Sequence, residues 1–389
     1  MSTMLLEDGR KLKKICIVGA GNVGVALGVD IATRTGLQVV FQTSKSEKLG
    51  ESFTKFDPET NETLTARLPS FNCYEKTVKD ADVVICTIPS FISKSVINEI
   101  SSFSPPLILF VPGYGGKEFC CKKLLQKGSF ISGLSRSPYV ARLKNSNYVV
   151  ASKKKTIDVS VLNSKTNVSK LIEALIGISC KQVKSYLTIT FTPSNPILHT
   201  ARIYSMFKDC NLKTQFSRNI KFYSEWNDDA SEILLKMDCE LIDVCEKISN
   251  FDFYEHIPLS EYYEANTVKK MTQKILNIQS WKNLDSPMKQ IDERFYIDSE
   301  SRYFQEDFPF GLCILRGFAE IARVRTPVMD EVLRWYEKFF SVSYFDNNGQ
   351  FCGNDLHKTG IPQNFGITKM NDVEHFYNSD FKMLVCDSM

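Results

Sequence analysis

No run of about 18 consecutive apolar residues occurs anywhere in this 389-residue sequence, so a membrane-spanning helix is not expected. The N-terminal stretch MSTMLLEDGRKLKK also lacks the apolar core of a secretory signal. Charge of one sign is scarce: the net charge is +3 and the lysines are spread along the chain. That balance gives no support for a nucleic-acid or membrane surface. Histidine is rare, at four, and neither it nor the twelve cysteines shows ligand spacing, so no zinc site is expected. There is no C-x-x-C pair; Cys120 and Cys121 are adjacent and the other cysteines are scattered singly. Without an export signal, most of them read as buried free thiols of a cytoplasmic protein. With 43% hydrophobic and 24% charged residues the chain is globular, and its length argues for two domains.

What is present is an alternation. Residues 15–18, 38–42, 83–88, 107–111 and 148–151 are short apolar runs bounded by Gly, Pro, Ser or Asp, as strands covered on both faces should be. Helical spacing follows the first run over 24–35 and the third over 92–103. Strand–helix–strand alternation predicts an α/β domain with a doubly wound, mainly parallel sheet. After about residue 190 the pattern changes. Residues 223–249, 309–324 and 326–340 carry apolar side chains every three or four positions, the last opening on Thr326–Pro327 as N-cap and first-turn proline. The expectation is a dinucleotide-binding domain over 1–190 and a mainly helical domain over 191–389, with a boundary near TFTPSNP (190–196). The last fifty residues read as a peripheral tail of mixed structure.

The most telling stretch of the first half is KKICIVGAGNVGVALGVDI (13–31), with Gly19, Gly21 and Gly24 at G-x-G-x-x-G spacing. Alone the spacing is weak; a strand before it, a helix after it and a second strand soon afterwards make it a Rossmann fingerprint. Gly19 permits the sharp turn, Gly21 the approach of a pyrophosphate, and Gly24 close helix packing. The diphosphate would meet the backbone from Gly19 through Ala20, Gly21, Asn22 and Val23 to Gly24, at a helix N-terminus that favours anions. A plain strand-to-helix turn is the bland alternative. An NAD site usually places an acid at the end of the second strand. Here Gln42, Thr43, Ser44 and Lys45 stand there instead, and Glu47 lies too far along. Hydroxyls and a lysine favour NADP(H) over NAD(H); a merely solvated loop is the other reading. DADVVICTIPS (80–90) brings Ile88 and Pro89 to the same crevice, and FVPGYGGKEF (110–119) ends the next strand beside it.

Two stretches of the second half are unlike generic helix: TPSNPILHTARIY (192–204) and SRYFQEDFPFGLCILRGFAEIARVRTPVMDEVLRWYEKF (301–339). The combination of N-P-x-x-H, R-Y-x-x-E-D-x-P-x-G and a V-x-T-P helix start, together with the glycine loop, resembles the opine dehydrogenase family of the NAD/NADP octopine/nopaline type. The likeness runs from about residue 13 to 340, and SPYVARLKNSNYVVASKKK (137–155) looks like the family's segment closing the nucleotide domain. The resemblance implies reductive condensation of an amino acid with a 2-oxo acid such as pyruvate, through an imine, to an N-(carboxyalkyl) amino acid. It further implies that His199 handles protons at the carbonyl, that Asp307 partners it, and that Arg302 recognises a substrate carboxylate and takes part in domain closure; Asn195 is a further substrate-binding candidate.

Elementary chemistry is compatible with these roles. Histidine gives and takes protons near neutral pH, a carboxylate on its far nitrogen fixes the tautomer, and a guanidinium suits a carboxylate. Blander readings stand beside them: Arg302 and Asp307 as a helix-capping salt bridge, Asn195 and Pro196 as a helix start, and Glu306 as a solvated charge. His256, His357 and His375 have no motif support. Two other classes of function stay open. One is an NADP-dependent ketoreductase of the 2-dehydropantoate reductase or glycerol-3-phosphate dehydrogenase type, although no lysine sits in a comparably distinctive motif. The other is a nucleotide-binding regulatory protein without turnover. The expected partners are small-molecule amino acid and 2-oxo acid substrates, and a homodimer is left open. The aromatic run 251–265 could serve a pocket, a dimer contact or the core.

Overall fold

The computed structural model describes residues 9, 11–248 and 255–378. The described residues divide into two compact units: those up to 190 together with 375–378, and those within 191–374. The sequence reading kept everything after 190 with the helical half.

In the first unit, β1 (Lys14–Val18), β2 (Gln38–Gln42), β5 (Ser70–Phe71), β6 (Val83–Cys86), β7 (Leu107–Phe110), β8 (Phe130–Leu134), β11 (Thr156–Val161) and β12 (Ser179–Gln182) form one sheet in the order β12-β11-β8-β7-β6-β1-β2-β5. Every pairing is parallel except β8 with β11. The central strands are short and apolar because helices and loops cover both faces; β6 and β7 are buried at every residue. Helix α1 (Asn22–Thr35) follows β1 and ends on Gly36 in the left-handed conformation.

A second sheet, of β3 (Ser52–Asp57), β4 (Glu62–Arg67), β9 (Tyr139–Leu143) and β10 (Tyr148–Lys153), runs in the order β4-β3-β10-β9. The run at 148–151 is therefore a strand of this sheet and not of the large one. Its burial alternates, which marks one covered face and names no partner strand. β3 and β4 carry no continuous apolar run; β4 is half-buried only at alternate residues, and neither was expected. α1 joins this sheet through Asp30, which is fully buried. Its carboxylate takes the Lys55 ammonium at 2.6 Å, the Lys153 ammonium at 2.9 Å and the Tyr139 hydroxyl. Burial pushes the Asp30 carboxyl up, but Lys55, Tyr139 and Lys153 outweigh it and hold the group below its ordinary value.

The second unit is built on the helices Ser194–Phe207, Asp228–Ile248, Cys313–Ala322 and Pro327–Phe340. The helix expected over 223–249 begins later, at Asp228, because 222–225 form turns. The helix expected from 309 begins at Cys313, after a wide π turn over Phe308–Leu312. Beyond 340 come two 3-10 turns, Asn354–Lys358 and Pro362–Phe365, and the helix Met370–Asn378. The end of that last helix belongs with the first unit, where the Tyr377 hydroxyl lies 3.2 Å from both Glu118 and Thr190. In the run 251–265, residues 251–254 lie outside the described residues, as does most of the N-terminal stretch; Tyr263 is buried and Tyr262 exposed. Among the described residues no helix is long and apolar enough to cross a membrane, and no cluster of His, Cys, Asp or Glu could hold a metal ion.

Candidate active site

The glycine loop lies at the carboxyl end of β1. Gly19 has φ +106°, and a Cβ there would sit 2.8 Å from the Thr87 hydroxyl. A Cβ on Gly24 would lie 1.9 Å from the Gly19 carbonyl oxygen, so α1 rests directly on the turn. A Cβ on Gly21 would meet nothing within 4 Å, leaving open space above the backbone. α1 starts with no side-chain cap and no acid in its first turn. That combination fits a dinucleotide diphosphate, which needs open backbone N–H groups at a helix start. Ala20 and Val23 pack against the core beneath. The Asn22 side chain has a structural task, accepting the Leu143 amide at 2.8 Å.

After β2, Ser44 and Lys45 are exposed, while the Thr43 hydroxyl accepts the Lys45 amide at 3.2 Å to shape the turn. Gln42 is buried and points inward, accepting from the Thr77 hydroxyl at 2.7 Å and the Cys73 amide at 3.2 Å. No acid stands at the end of this strand; Glu47 lies on an exposed 3-10 turn beyond it. Ile88 packs under Gly19, and Pro89 leads into the 3-10 turn Ser90–Ile92. Thr87, at the strand end expected to reach this crevice, braces the loop, its hydroxyl 3.0 Å from the Gly19 carbonyl and 3.2 Å from that of Val18.

In the second unit, His199 projects from the Ser194–Phe207 helix and its Nδ1 lies 2.8 Å from Oδ2 of Asp307, 108 residues away. Asp307 caps the π turn, where the Leu312 amide reaches back to the Asp307 carbonyl at 2.8 Å. Pro309 and Gly311 explain the irregularity: proline cannot donate to the helical ladder, and a Cβ on Gly311 would press on Pro196 at 3.3 Å. The turn thus seats Asp307 against the helix that carries His199. Burial pushes the Asp307 carboxyl above its ordinary value, and His199 beside it pulls the other way.

His199 Nε2 is engaged as well, 2.9 Å from the hydroxyl of Tyr223. Tyr223, the first residue of the periodic run 223–249, stands in the turn before the helix that begins at Asp228, and no motif marks it as functional. Phe222 and Tyr303 flank the imidazole at 5.5 and 4.8 Å between ring centroids.

Arg302 and Asp307 do not form a salt bridge with each other. The Arg302 Nε donates to Glu306 at 2.8 Å, one helical turn on, and its side chain is 62% exposed. Glu306, read as a solvated charge, is instead largely covered and paired. Asn195 lies one turn before His199 on the same helix, hence on the same face.

The family model described as NAD/NADP octopine/nopaline dehydrogenase, alpha-helical domain, matches residues 182–340, and that of ketopantoate reductase PanE/ApbA matches residues 15–164. Tauropine dehydrogenase of Arabella iricolor is 25% identical over 325 residues, covering 77% of this chain and 81% of its own. Octopine dehydrogenase of Pecten maximus is 23% identical over 400 residues, covering 92% and 98%. The solved structure of octopine dehydrogenase with NADH and pyruvate superposes with a TM-score of 0.80 at 21% identity, over 93% of this chain and 97% of that one, which shows a common fold. A Rossmann-like unit with a glycine cradle and a helical unit with a covered histidine–carboxylate pair agree with these likenesses: residues 182–340 match the helical domain of the octopine/nopaline dehydrogenases, and most of the chain is similar to opine dehydrogenases, oxidoreductases acting on CH–NH bonds with a nicotinamide dinucleotide.

Proposed function

We propose that His199 and Asp307 are the proton-handling pair of a reductive condensation that joins an amino acid to a 2-oxo acid such as pyruvate. The observation that carries this is the 2.8 Å contact between Nδ1 and the buried carboxylate. A carboxylate accepts only, so Nδ1 holds the proton and Nε2 is left as the base. His199 takes the proton released when the amine adds to the carbonyl and returns one to the hydroxyl that leaves as water. Asp307 stabilises the imidazolium between those events. A nicotinamide dinucleotide held by the glycine loop would supply the hydride that reduces the imine to the secondary amine. Arg302, largely exposed and paired with Glu306, is the guanidinium that would recognise a substrate carboxylate, and Asn195 offers an amide on the face of His199.

The backbone from Gly19 through Ala20, Gly21, Asn22 and Val23 to Gly24, with Ile88 and Pro89 beside it, would hold the dinucleotide. NADP(H) is favoured over NAD(H): Ser44 and Lys45 are open to a 2′-phosphate and the turn that carries them has no acid before Glu47. The reaction draws on the NAD(P)H and 2-oxo acids of the cytoplasm.

The test follows NADPH and NADH oxidation with pyruvate, with and without a panel of amino acids. Oxidation that needs both partners is expected; oxidation with the oxo acid alone would support the ketoreductase reading that the 15–164 match recommends. His199→Ala should lose ~10²–10⁴-fold in kcat with cofactor affinity retained. Wild-type turnover in that variant removes His199 from the mechanism.

A further inference from the structure

The nitrogen of His199 assigned as the base does not stand bare. With Nδ1 as donor to Asp307, Nε2 is an acceptor, and the group it accepts from is the Tyr223 phenol at 2.9 Å. Tyr223 is firmly held: it is 5% exposed, stacks on Trp281 at 4.3 Å and 28°, and meets Phe222 edge-on at 4.8 Å. The turn beneath it is pinned by Arg202, a buried guanidinium whose Nε donates to the Phe222 carbonyl at 2.8 Å. One of its terminal nitrogens donates to the Glu225 carbonyl at 2.7 Å. Arg202 lies three residues after His199 on the same helix, so one element places the imidazole and anchors the segment that brings the phenol to it. A tyrosine that only filled space would need neither this alignment nor a buried arginine fixing its backbone.

We propose that Tyr223 is the terminal member of a proton relay, Asp307–His199–Tyr223, and that its hydroxyl is the group exchanging protons with the substrate. The inference rests on the assignment of His199 above. When the amine adds, the N–C bond forms, the carbonyl π pair moves to oxygen, and the nitrogen becomes cationic. Its proton passes to the Tyr223 oxygen while the Tyr223 proton passes to Nε2, giving the imidazolium against Asp307. In the next step the adduct oxygen, made a hydroxyl by one proton from solvent, takes the Tyr223 proton and leaves as water as the C–O bond breaks and the nitrogen lone pair forms C=N, while Nε2 returns its own proton to the phenol. Each traverse moves two protons together, neither step oxidises or reduces anything, and the relay ends in its starting state.

The test is a single-turnover rate in mixtures of H₂O and D₂O for the wild type, His199→Ala and Tyr223→Phe. Two protons in flight should bow the wild-type plot of rate against deuterium fraction, and a straight line for the wild type overturns the relay without any variant. Tyr223→Phe keeps the ring on Trp281. It should melt near the wild type, hold the cofactor equally well, lose ~10²-fold in rate and show a straight plot. A rate within threefold of wild type, or a lower rate with the bow intact, also overturns it. If His199→Ala is inactive and Tyr223→Phe is not, only the relay fails; if His199→Ala is active, the underlying assignment fails.

Discussion

Replacing Asp307 with asparagine keeps the shape of the side chain and deletes its charge. In the native site Nδ1 and Oδ2 are 2.8 Å apart, which puts the centres of the imidazolium and carboxylate charges roughly 4 Å apart. Both side chains are nearly covered, at 13% and 10% exposure, so solvent screens the pair poorly. With an effective dielectric constant of about 20, the attraction is about 4 kcal/mol. In the proposed reaction that energy is present only while His199 carries the proton taken from the amine, so its loss should fall on the chemical steps. At about 1.4 kcal/mol per decade it corresponds to a kcat lower by roughly 10³. The amide also lets either nitrogen of the ring hold the proton, which adds to the loss. Steady-state kinetics should show kcat falling by that factor while the dissociation constant for NAD(P)H, from fluorescence titration, stays put. In a His199→Ala background the same change should cost almost nothing more, because the two act as one unit. A loss below tenfold, or full additivity with His199→Ala, would refute the reasoning.

Two predictions concern the first unit. Asp30→Asn strands the buried Lys55 ammonium and should cost about 3–5 kcal/mol in urea denaturation at neutral pH. Because Asp30 is held below its ordinary value, its contribution is present above the unfolded carboxylate pKa and is lost as pH falls through the folded one. The gap between variant and wild type should therefore close in acid. Gly24→Ala drives a Cβ into the Gly19 carbonyl, and overpacking of about 1–3 kcal/mol should weaken NAD(P)H binding by about tenfold to a hundredfold. Binding within twofold of wild type would contradict the glycine-loop geometry.

Strands β1, β2, β6 and β7 and helix α1 were legible in the sequence because they rest on local pattern, four apolar runs with turn residues between them and glycines whose spacing mirrors one local geometry; β5, β8, β11 and β12 of the same sheet were not. The second sheet was not, because its strands are half-polar and a period of two says which face is covered without saying what covers it. His199 and Asp307 were named through motifs, yet nothing in the 108 residues between them specifies a distance; the π turn that joins them depends on Gly311 meeting Pro196. Arg302 shows the converse. Its neighbour five positions on looked like a partner, but helix geometry offers the residue four positions on, Glu306. Tyr223 lay beyond sequence reasoning altogether, since it sits in a turn and owes its place to Arg202 and Trp281.

The fourteen residues of the Ser194–Phe207 helix carry His199, press Pro196 on the segment of Asp307 and grip the segment of Tyr223 with Arg202. The three groups are in effect mounted on one rail. A substitution that displaces this helix therefore bears on the imidazole, the carboxylate and the phenol at once, because each is fixed to it by a separate contact.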